Sequence, residues 1–397
     1  MISSLLYVVF FIPLWFFCLI RLIITGKSMW IWNDIQLSKG KTLEVHYFNV
    51  KQYFLRIMGL LPYVFDWKLD LVGISIRKAD EAMEKDNPLW SAMPGVFNLW
   101  FIRNSLGMAH EGRDSIDLEY LQSKSLRNNL LIILKTLPAL LYHQEHLTDA
   151  KRICLLDVEF YNIEMQEAVE MIDKAIIEKA HANVFFINAD CLNKTMDDKE
   201  YAGILQSNDI IFPDGSGINL GCKMIGKPLR ANTNGTDMFP FLCELAQDKG
   251  YGIYLLGAKP GIVDKLSDIL QRKYPNLRIS GYRNGYFNWE TQNDEVVAGI
   301  NDSHADMLFV AFGAPLQEKW ISWNCGKLET SVNLGVGGLF DFYSETIPRA
   351  PQWMRELGIE WVYRLIQEPK RMWKRYIIGN PLFLYRVYFW KKGKRKR

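Results

Sequence analysis

Between residues 183 and 335, short apolar, β-rich runs alternate with stretches of helical period, and this alternation limits the fold more than any other feature of the chain. The runs are Asn183-Val-Phe-Phe-Ile-Asn188, Asp209-Ile-Ile-Phe212, Gly252-Ile-Tyr-Leu-Leu256, Asp306-Met-Leu-Phe-Val-Ala-Phe312 and Ser331-Val-Asn-Leu-Gly335. Continuous apolar strands belong to sheets covered on both faces, and intervening helices make such sheets mostly parallel. Ahead of them, Ile153-Cys-Leu-Leu-Asp157 leads into Met165, Ala168, Met171, Ile172, Ala175 and Ile176, a set that falls on one helical face. The expected core is therefore α/β: a Rossmann-like, mostly parallel sheet with helices on both faces. Ligands of such sheets bind beyond the carboxyl ends of the strands.

The chain has 397 residues, 49% hydrophobic and 23% charged, which suits a folded protein of two or three domains. A formal net charge of +3 is too nearly balanced for a protein that coats nucleic acid. The charge is uneven, because Lys391, Lys392, Lys394, Arg395, Lys396 and Arg397 crowd the last seven residues. Such a tail suits solvent or an anionic lipid surface. Cys18, Cys154, Cys191, Cys222, Cys243 and Cys325 form no Cys-x-x-Cys pair and read as buried thiols of a reducing compartment. The six histidines show no HExxH pattern, so no metal site is expected.

From Leu5 to Ile20 no residue is charged, and Leu22, Ile23 and Ile24 extend the apolar stretch beyond Arg21 to about 20 residues, enough to cross a bilayer. It lacks the basic start and small-residue end of a cleaved signal peptide. Pro13 favours a bend, leaving a kinked span or a re-entrant hairpin. Arg21, Lys27, Lys39 and Lys41 follow and favour the cytoplasmic side.

The strand ends carry the unusual residues. In Phe212-Pro-Asp-Gly-Ser-Gly-Ile-Asn-Leu-Gly221, Pro213 stops a strand and Asp214 sits at the crest of a tight turn. Gly215, Gly217 and Gly221 also hint at a dinucleotide turn, but the acidic strand end such a fold needs some 20 residues later is missing. A turn with an incidental aspartate is the plain alternative. Gly313-Ala-Pro-Leu-Gln-Glu-Lys-Trp-Ile321 places Gln317 and Glu318 in the first turn of a helix, and Gly335-Val-Gly-Gly-Leu-Phe-Asp341 presents an aspartate after a glycine-rich turn. Arg364, Arg371 and Arg375 lie 7 and 4 residues apart, one stripe on a continuous helix, although Pro369 interrupts it.

Taken in order, Asn188-Ala, Pro213-Asp-Gly-Ser-Gly, Arg230 with Gly235-Thr-Asp237, Tyr254-Leu-Leu-Gly257, Gly285-Tyr-Phe287, Gly313-Ala-Pro-x-Gln-Glu-x-Trp-Ile, Gly335-Val-Gly-Gly-x-Phe-Asp, Arg349-Ala-Pro and Glu360-Trp-x-Tyr-Arg-Leu-x-x-Glu-Pro resemble the TagA/WecG/CpsF glycosyltransferases, or glycosyltransferase family 26, over about residues 152 to 375. The resemblance implies transfer of N-acetylmannosamine, its uronic acid or a related sugar from a UDP donor to a polyprenyl-diphosphate-linked sugar, with inversion and without metal or other cofactor. It implies Asp214 as the base and Arg364 and Arg371 as cations on a C-terminal appendage that closes over the site. Gln317 and Asp341 resemble nucleotide-contacting positions, and Asn188, Gly215, Gly217, Arg230, Asp237, Glu318 and Arg375 are expected in the same pocket. An inverting transfer needs one base and positive charge for the leaving UDP, and no Asp-x-Asp is present to bring that charge with a metal. Two positions depart from the family: Phe186 stands where a threonine is usual, and Lys374 where an arginine is.

The region before it resembles bacterial sugar transferases, which move a sugar phosphate onto a polyprenyl phosphate, at Gly26-Lys-Ser-Met-Trp-Ile-Trp, Gly40-Lys-Thr-Leu-Glu-Val-His-Tyr-Phe, Leu69-Asp-Leu-Val-Gly73, Pro94-Gly-Val-Phe-Asn-Leu-Trp100, Ser115-Ile-Asp-Leu-Glu-Tyr120 and Leu131-Ile-Ile-Leu-Lys-Thr-Leu137. That family needs an Asp-Glu dyad where this chain has Gly59-Leu60. The organisation expected is a membrane-inserted helix over 1–25, a degenerate, membrane-associated sugar-transferase-like α/β region over 26–148, a catalytic domain over 152–348, and a helical appendage with a basic membrane-facing tail over 349–397. Tyr376 to Trp390, aromatic and basic, suits a membrane surface. The expected location is the cytoplasmic face of a bacterial inner membrane. The competing readings are a phosphoglycosyl or bifunctional enzyme using the N-terminal region, a noncatalytic membrane scaffold, and, weakest, a nicotinamide oxidoreductase. Donor sugar, pathway and homo-oligomeric assembly stay open.

Overall fold

The computed structural model describes all residues except 1, 39–40, 51, 82–86, 109–111, 144–149, 209 and 395–397. Asp209, Gly40, Lys39, His110, His146 and the last three cations therefore lie outside the described residues. The chain divides into two compact units, one of residues 1–145 with 355–358, the other of residues 146–354 with 359–397.

In unit 1 a helix runs over Ser3–Thr25, apolar and long enough to cross a membrane. Its start contains a π-helical turn, Tyr7–Phe11, directly before the segment that bears Pro13 near its N-terminus. That is a place where the missing N–H of proline costs little. One stripe, Phe11, Leu14 and Cys18, is buried, while Val8, Phe16, Phe17, Ile20, Ile23 and Ile24 stay exposed. The stripe packs toward the antiparallel hairpin of β1 (Trp30–Ser38) and β2 (Lys41–Phe48), with Phe11 and Phe48 rings 5.2 Å apart. The unit also holds two short parallel strands, β3 (Asp70–Val72) and β4 (Gly95–Phe97), and helices that include Leu99–Leu106, Arg113–Ser123 and Leu126–Tyr142.

Unit 2 opens with a small antiparallel hairpin, β5 (Arg152–Leu155) and β6 (Val158–Tyr161). Its centre is a six-stranded, wholly parallel sheet of β7 (Ala182–Ile187), β8 (Ile210–Pro213), β9 (Gly252–Gly257), β10 (Arg278–Arg283), β11 (Met307–Ala311) and β12 (Val332–Gly335). The strand order is β10-β9-β11-β12-β7-β8. Every residue of β9, β11 and β12 is buried, as continuous apolar runs require. One core cluster gathers Leu192, Ile218, Leu256, Val310 and Trp320, and the other gathers Ile172, Phe239, Leu255, Phe309 and Phe340, so the sheet is covered on both sides. The helix expected from the 165–176 pattern runs over Met165–Ile177.

Several expectations need correction. β10 was not foreseen: Arg278-Ile-Ser-Gly-Tyr-Arg283 is an edge strand with exposed and half-exposed positions, so it has no apolar run to betray it. Cys154 is half-buried and Cys325 is exposed, whereas the other four thiols are buried. Residues 376–390 are not simply a surface segment. The helix Gly379–Lys394 sends Phe383 and Val387 into the core of unit 2, 1% and 0% exposed, and leaves Tyr385 and Phe389 outside. Asn193 Nδ2 donates to Gly379 O at 2.8 Å and Arg386 Nη1 to Asn193 O at 2.7 Å, fastening this helix.

Candidate active site

A cavity of about 600 Å³ lies in unit 2 where β7, β8, β11 and β12 end. Its position is the one expected of a parallel sheet, beyond the carboxyl ends of the strands.

Asp214 follows the last residue of β8, and its N–H donates to Ile187 O at 2.8 Å, which ties the crest to the end of β7. Gly215 then takes φ +88°, a left-handed turn that lets the helix Ser216–Ile225 begin at once. The Gly215 N–H donates to Asn232 Oδ1 at 2.8 Å. Asn188 caps the helix Ala189–Lys194 by accepting at Oδ1 from the N–H groups of Asp190 and Cys191, 3.1 Å each. Its side chain also hydrogen-bonds the Asp214 carboxylate. Burial raises the Asp214 pKa above the usual aspartate value, and Arg364, Arg375 and the Asn188 bond pull against it.

The cations come from the C-terminal segment. Its helix Glu360–Gln367 stops and a second one begins at Pro369, so the expected arginine stripe is broken, yet Arg364, Arg371 and Arg375 all line the same cavity. Arg364 lies over the Phe342 ring at 4.6 Å and 3.5 Å from Glu360 Oε1. Arg371 is paired with Glu368 at 2.6 Å and is 61% exposed, so it keeps a surface free for a ligand. Arg375 Nε stands 3.7 Å from Asp190. Burial works against the Arg375 charge, but nearby Tyr376, Asp190 and Asp214 outweigh it and hold its pKa above the ordinary value. Burial likewise raises the Asp341 carboxyl, against the attraction of Arg371.

Of the residues expected at the site, Asn188, Asp214, Gln317, Asp341, Arg364, Arg371 and Arg375 line this cavity. Arg230 does not: its guanidinium lies 3.4 Å from Glu167 and 3.9 Å from Glu164, and Asn232, two residues later, is the one that reaches the Asp214 turn. Asp237 is also drawn away, into an ion pair with Arg349 at 2.6 Å and a hydrogen bond from Asn234 at 2.8 Å. Gly215 and Gly217 support the turn without lining the cavity, and Glu318 is wholly buried behind it. Sequence reasoning missed Asp190, Lys194 and Phe342 as lining residues, whereas Lys374, already noted where the family has an arginine, lines the cavity too. Asp190 and Lys194 had a readable signal, being one helical turn apart directly after Asn188-Ala; they pair at 2.8 Å, and Lys194 Nζ donates to Ala314 O at 2.8 Å. Phe186, where the family has threonine, is 7% exposed on the cavity wall. Among the described residues no three His, Cys, Asp or Glu side chains converge as metal ligands would.

The family model of the WecG/TagA/CpsF glycosyl transferases matches residues 153–397. The chain belongs to this family. It is similar to the N-acetylglucosaminyldiphosphoundecaprenol N-acetyl-beta-D-mannosaminyltransferase of Bacillus subtilis (strain 168), 32% identical over 240 residues, which are 60% of this chain and 92% of the relative. The enzyme of the same name from Bacillus spizizenii is 32% identical over 55% of this chain and 84% of the relative. That of Staphylococcus aureus (strain MW2) is 29% identical over 64% of this chain and 97% of the relative. The chain is thus a glycosyltransferase. The resemblance of residues 26–148 to sugar transferases finds no support in these matches.

Proposed function

We propose that this glycosyltransferase moves an N-acetylmannosamine-type sugar from a UDP donor to a polyprenyl-diphosphate-linked N-acetylglucosamine, with inversion and without a metal. The observation that carries the reading is that Asp214 shares one cavity with Arg364, Arg371 and Arg375. The acceptor hydroxyl oxygen attacks the anomeric carbon of the donor sugar while the bond from that carbon to the UDP oxygen breaks. Asp214 takes the hydroxyl proton, a role helped by a carboxyl pKa raised by burial. The leaving diphosphate carries away the electron pair, and the guanidinium groups, each able to bind two oxygens at once, stabilise the charge that develops there. Arg371, the most exposed of the three arginines, is the best placed to meet it as the appendage closes.

The apolar helix Ser3–Thr25 supports membrane insertion, with Arg21, Lys27 and Lys41 favouring the cytoplasmic side, where a lipid-linked acceptor would be met. Residues 26–148 then serve as a membrane-associated anchoring region, 152–348 as the catalytic domain and 349–397 as the appendage.

Full-length protein in lipid nanodiscs, given a panel of UDP-sugars, should release UDP only with the polyprenyl-diphosphate-sugar acceptor, and Asp214→Ala should abolish that release. UMP release with polyprenyl phosphate would instead make the N-terminal region the working enzyme. Loss of UDP release in EDTA would remove the metal-free mechanism.

A further inference from the structure

Gln317 resembles a ligand-contacting position, but its polar atoms are already engaged inside the protein. Its Oε1 accepts from the Gly313 N–H at 3.1 Å and from the Gly337 N–H at 2.7 Å. Those two glycines lie in the loops after β11 and β12, both of which wall the cavity. The side chain is 3% exposed, so it works as a cross-tie between loops that share no strand.

The tie works only with the amide in one orientation. If Nε2 and Oε1 were exchanged, two N–H donors would face an NH₂ group, and both would lose their acceptor. The neighbouring side chain fixes the orientation: Gln317 Nε2 donates to Glu318 Oε1 at 3.0 Å. Glu318 is 0% exposed, its Oε2 has no hydrogen-bond partner among the described residues, and burial pushes its carboxyl pKa up to about 7. A buried carboxyl is costly to keep, and an apolar residue of the same volume would avoid the cost. Either protonation form can accept at Oε1, so the orienting bond survives across neutral pH.

We propose that Glu318 is a positioning residue, which orients the Gln317 amide so that it clamps the Gly313 and Gly337 loops into the shape of the cavity. The clamp stands apart from the donor reading, and only its consequence for UDP rests on that reading.

Amide hydrogen exchange on the full chain in nanodiscs tests the clamp directly. In Glu318→Met, which keeps the volume and removes the acceptor, exchange at Gly313 and Gly337 should rise about tenfold, the worth of one buried hydrogen bond. Glu318→Gln, whose Oε1 can still accept, should retain the protection, a rescue that mere loss of charge does not predict. Gln317→Met removes the clamp itself and should open the same two loops even if Glu318→Met does not fold. Protection unchanged in Glu318→Met or in Gln317→Met, a rise spread evenly over unit 2, or failure of Glu318→Gln to rescue overturns the proposal. Calorimetric titration with UDP keeps the two readings apart: UDP should bind Glu318→Met about tenfold more weakly and Glu318→Gln as it binds the native protein. A native chain that binds no UDP removes the donor site while leaving the exchange result to decide the clamp.

Discussion

Gly59-Leu60 in unit 1, where the expected sugar-transferase resemblance would need its Asp-Glu dyad, and Pro213-Asp214 in unit 2, where the base is proposed, have surroundings that differ in kind. A side chain at Gly59 would begin 2.9 Å from His46 O and Phe48 N, and Leu60 is 0% exposed in the core of unit 1. The space a nucleophile would need is filled by backbone and aliphatic packing. Asp214 sits at a strand end, beside an asparagine that bonds it and within the influence of two arginines, facing a cavity of about 600 Å³. The difference teaches that a reactive carboxylate needs open space as well as a sequence position: Asp214 has a cavity before it, and the packing at Gly59-Leu60 leaves no room for a side chain of that size.

The largest effect that would break this contrast is at Asp214. Asp214→Asn should lower kcat by about 10²- to 10⁴-fold in a UDP-release assay, the usual worth of a general base. A variant that keeps near-native turnover would take the base elsewhere. The converse experiment installs Asp at position 59 and Glu at position 60. Because two carboxyls would enter a packed, apolar core, the double variant should lose at least about 3 kcal/mol of stability by thermal unfolding and gain no UMP-releasing activity. A stable variant that releases UMP would show that unit 1 still holds a working pocket.

A smaller effect separates Asp214 from the other buried carboxyl near the cavity. Burial holds Glu318 near 7 in the folded protein, above its ordinary 4.5, so its ionised form is disfavoured by folding. The strain is absent below about pH 4.5 and grows as pH rises through about 7. Glu318→Gln should therefore be more stable than the native chain at pH 8, by up to roughly 3 kcal/mol, and lose that advantage in acid. Equal stability at both pH values would mean that Glu318 is solvated better than its burial implies.

How much of this was readable from the sequence depended on whether a residue's role is set by its neighbours in the chain. Four of the five apolar runs begin and end within a residue of their strands, and the fifth includes residue 209 outside the described structure, because full burial demands apolar residues at every position. β10 escaped for the opposite reason, being an edge strand that exposes one side. Asp214, Gln317 and Asp341 stand at strand ends and tight turns that the sequence marks locally, but it was the family resemblance that singled them out, and all three line the cavity. Arg230 was misread, since nothing local tells that Glu164 and Glu167 lie within reach of its guanidinium while Asn232 turns toward Gly215. The inward role of Phe383 and Val387 was hidden too, because an aromatic, basic segment looks alike whether it meets lipid or a protein core.

The smallest effects come from the arginines, and they sharpen what each does. Arg364→Met and Arg371→Met should each lower kcat/KM by about 10- to 100-fold, the range for a charge-assisted hydrogen bond to a ligand. The two should differ in pH dependence. Arg364 favours the ionised form of Asp214, whereas Arg371 acts instead on Asp341. Removing Arg364 therefore raises the Asp214 pKa further, and since the base must be deprotonated to act, the acid limb of the kcat/KM profile moves to higher pH. Removing Arg371 lowers the profile without moving that limb. If both variants shifted the limb equally, the two cations would act on one shared field, and Arg371 could not be separated from Asp214 as the cation that meets the diphosphate alone.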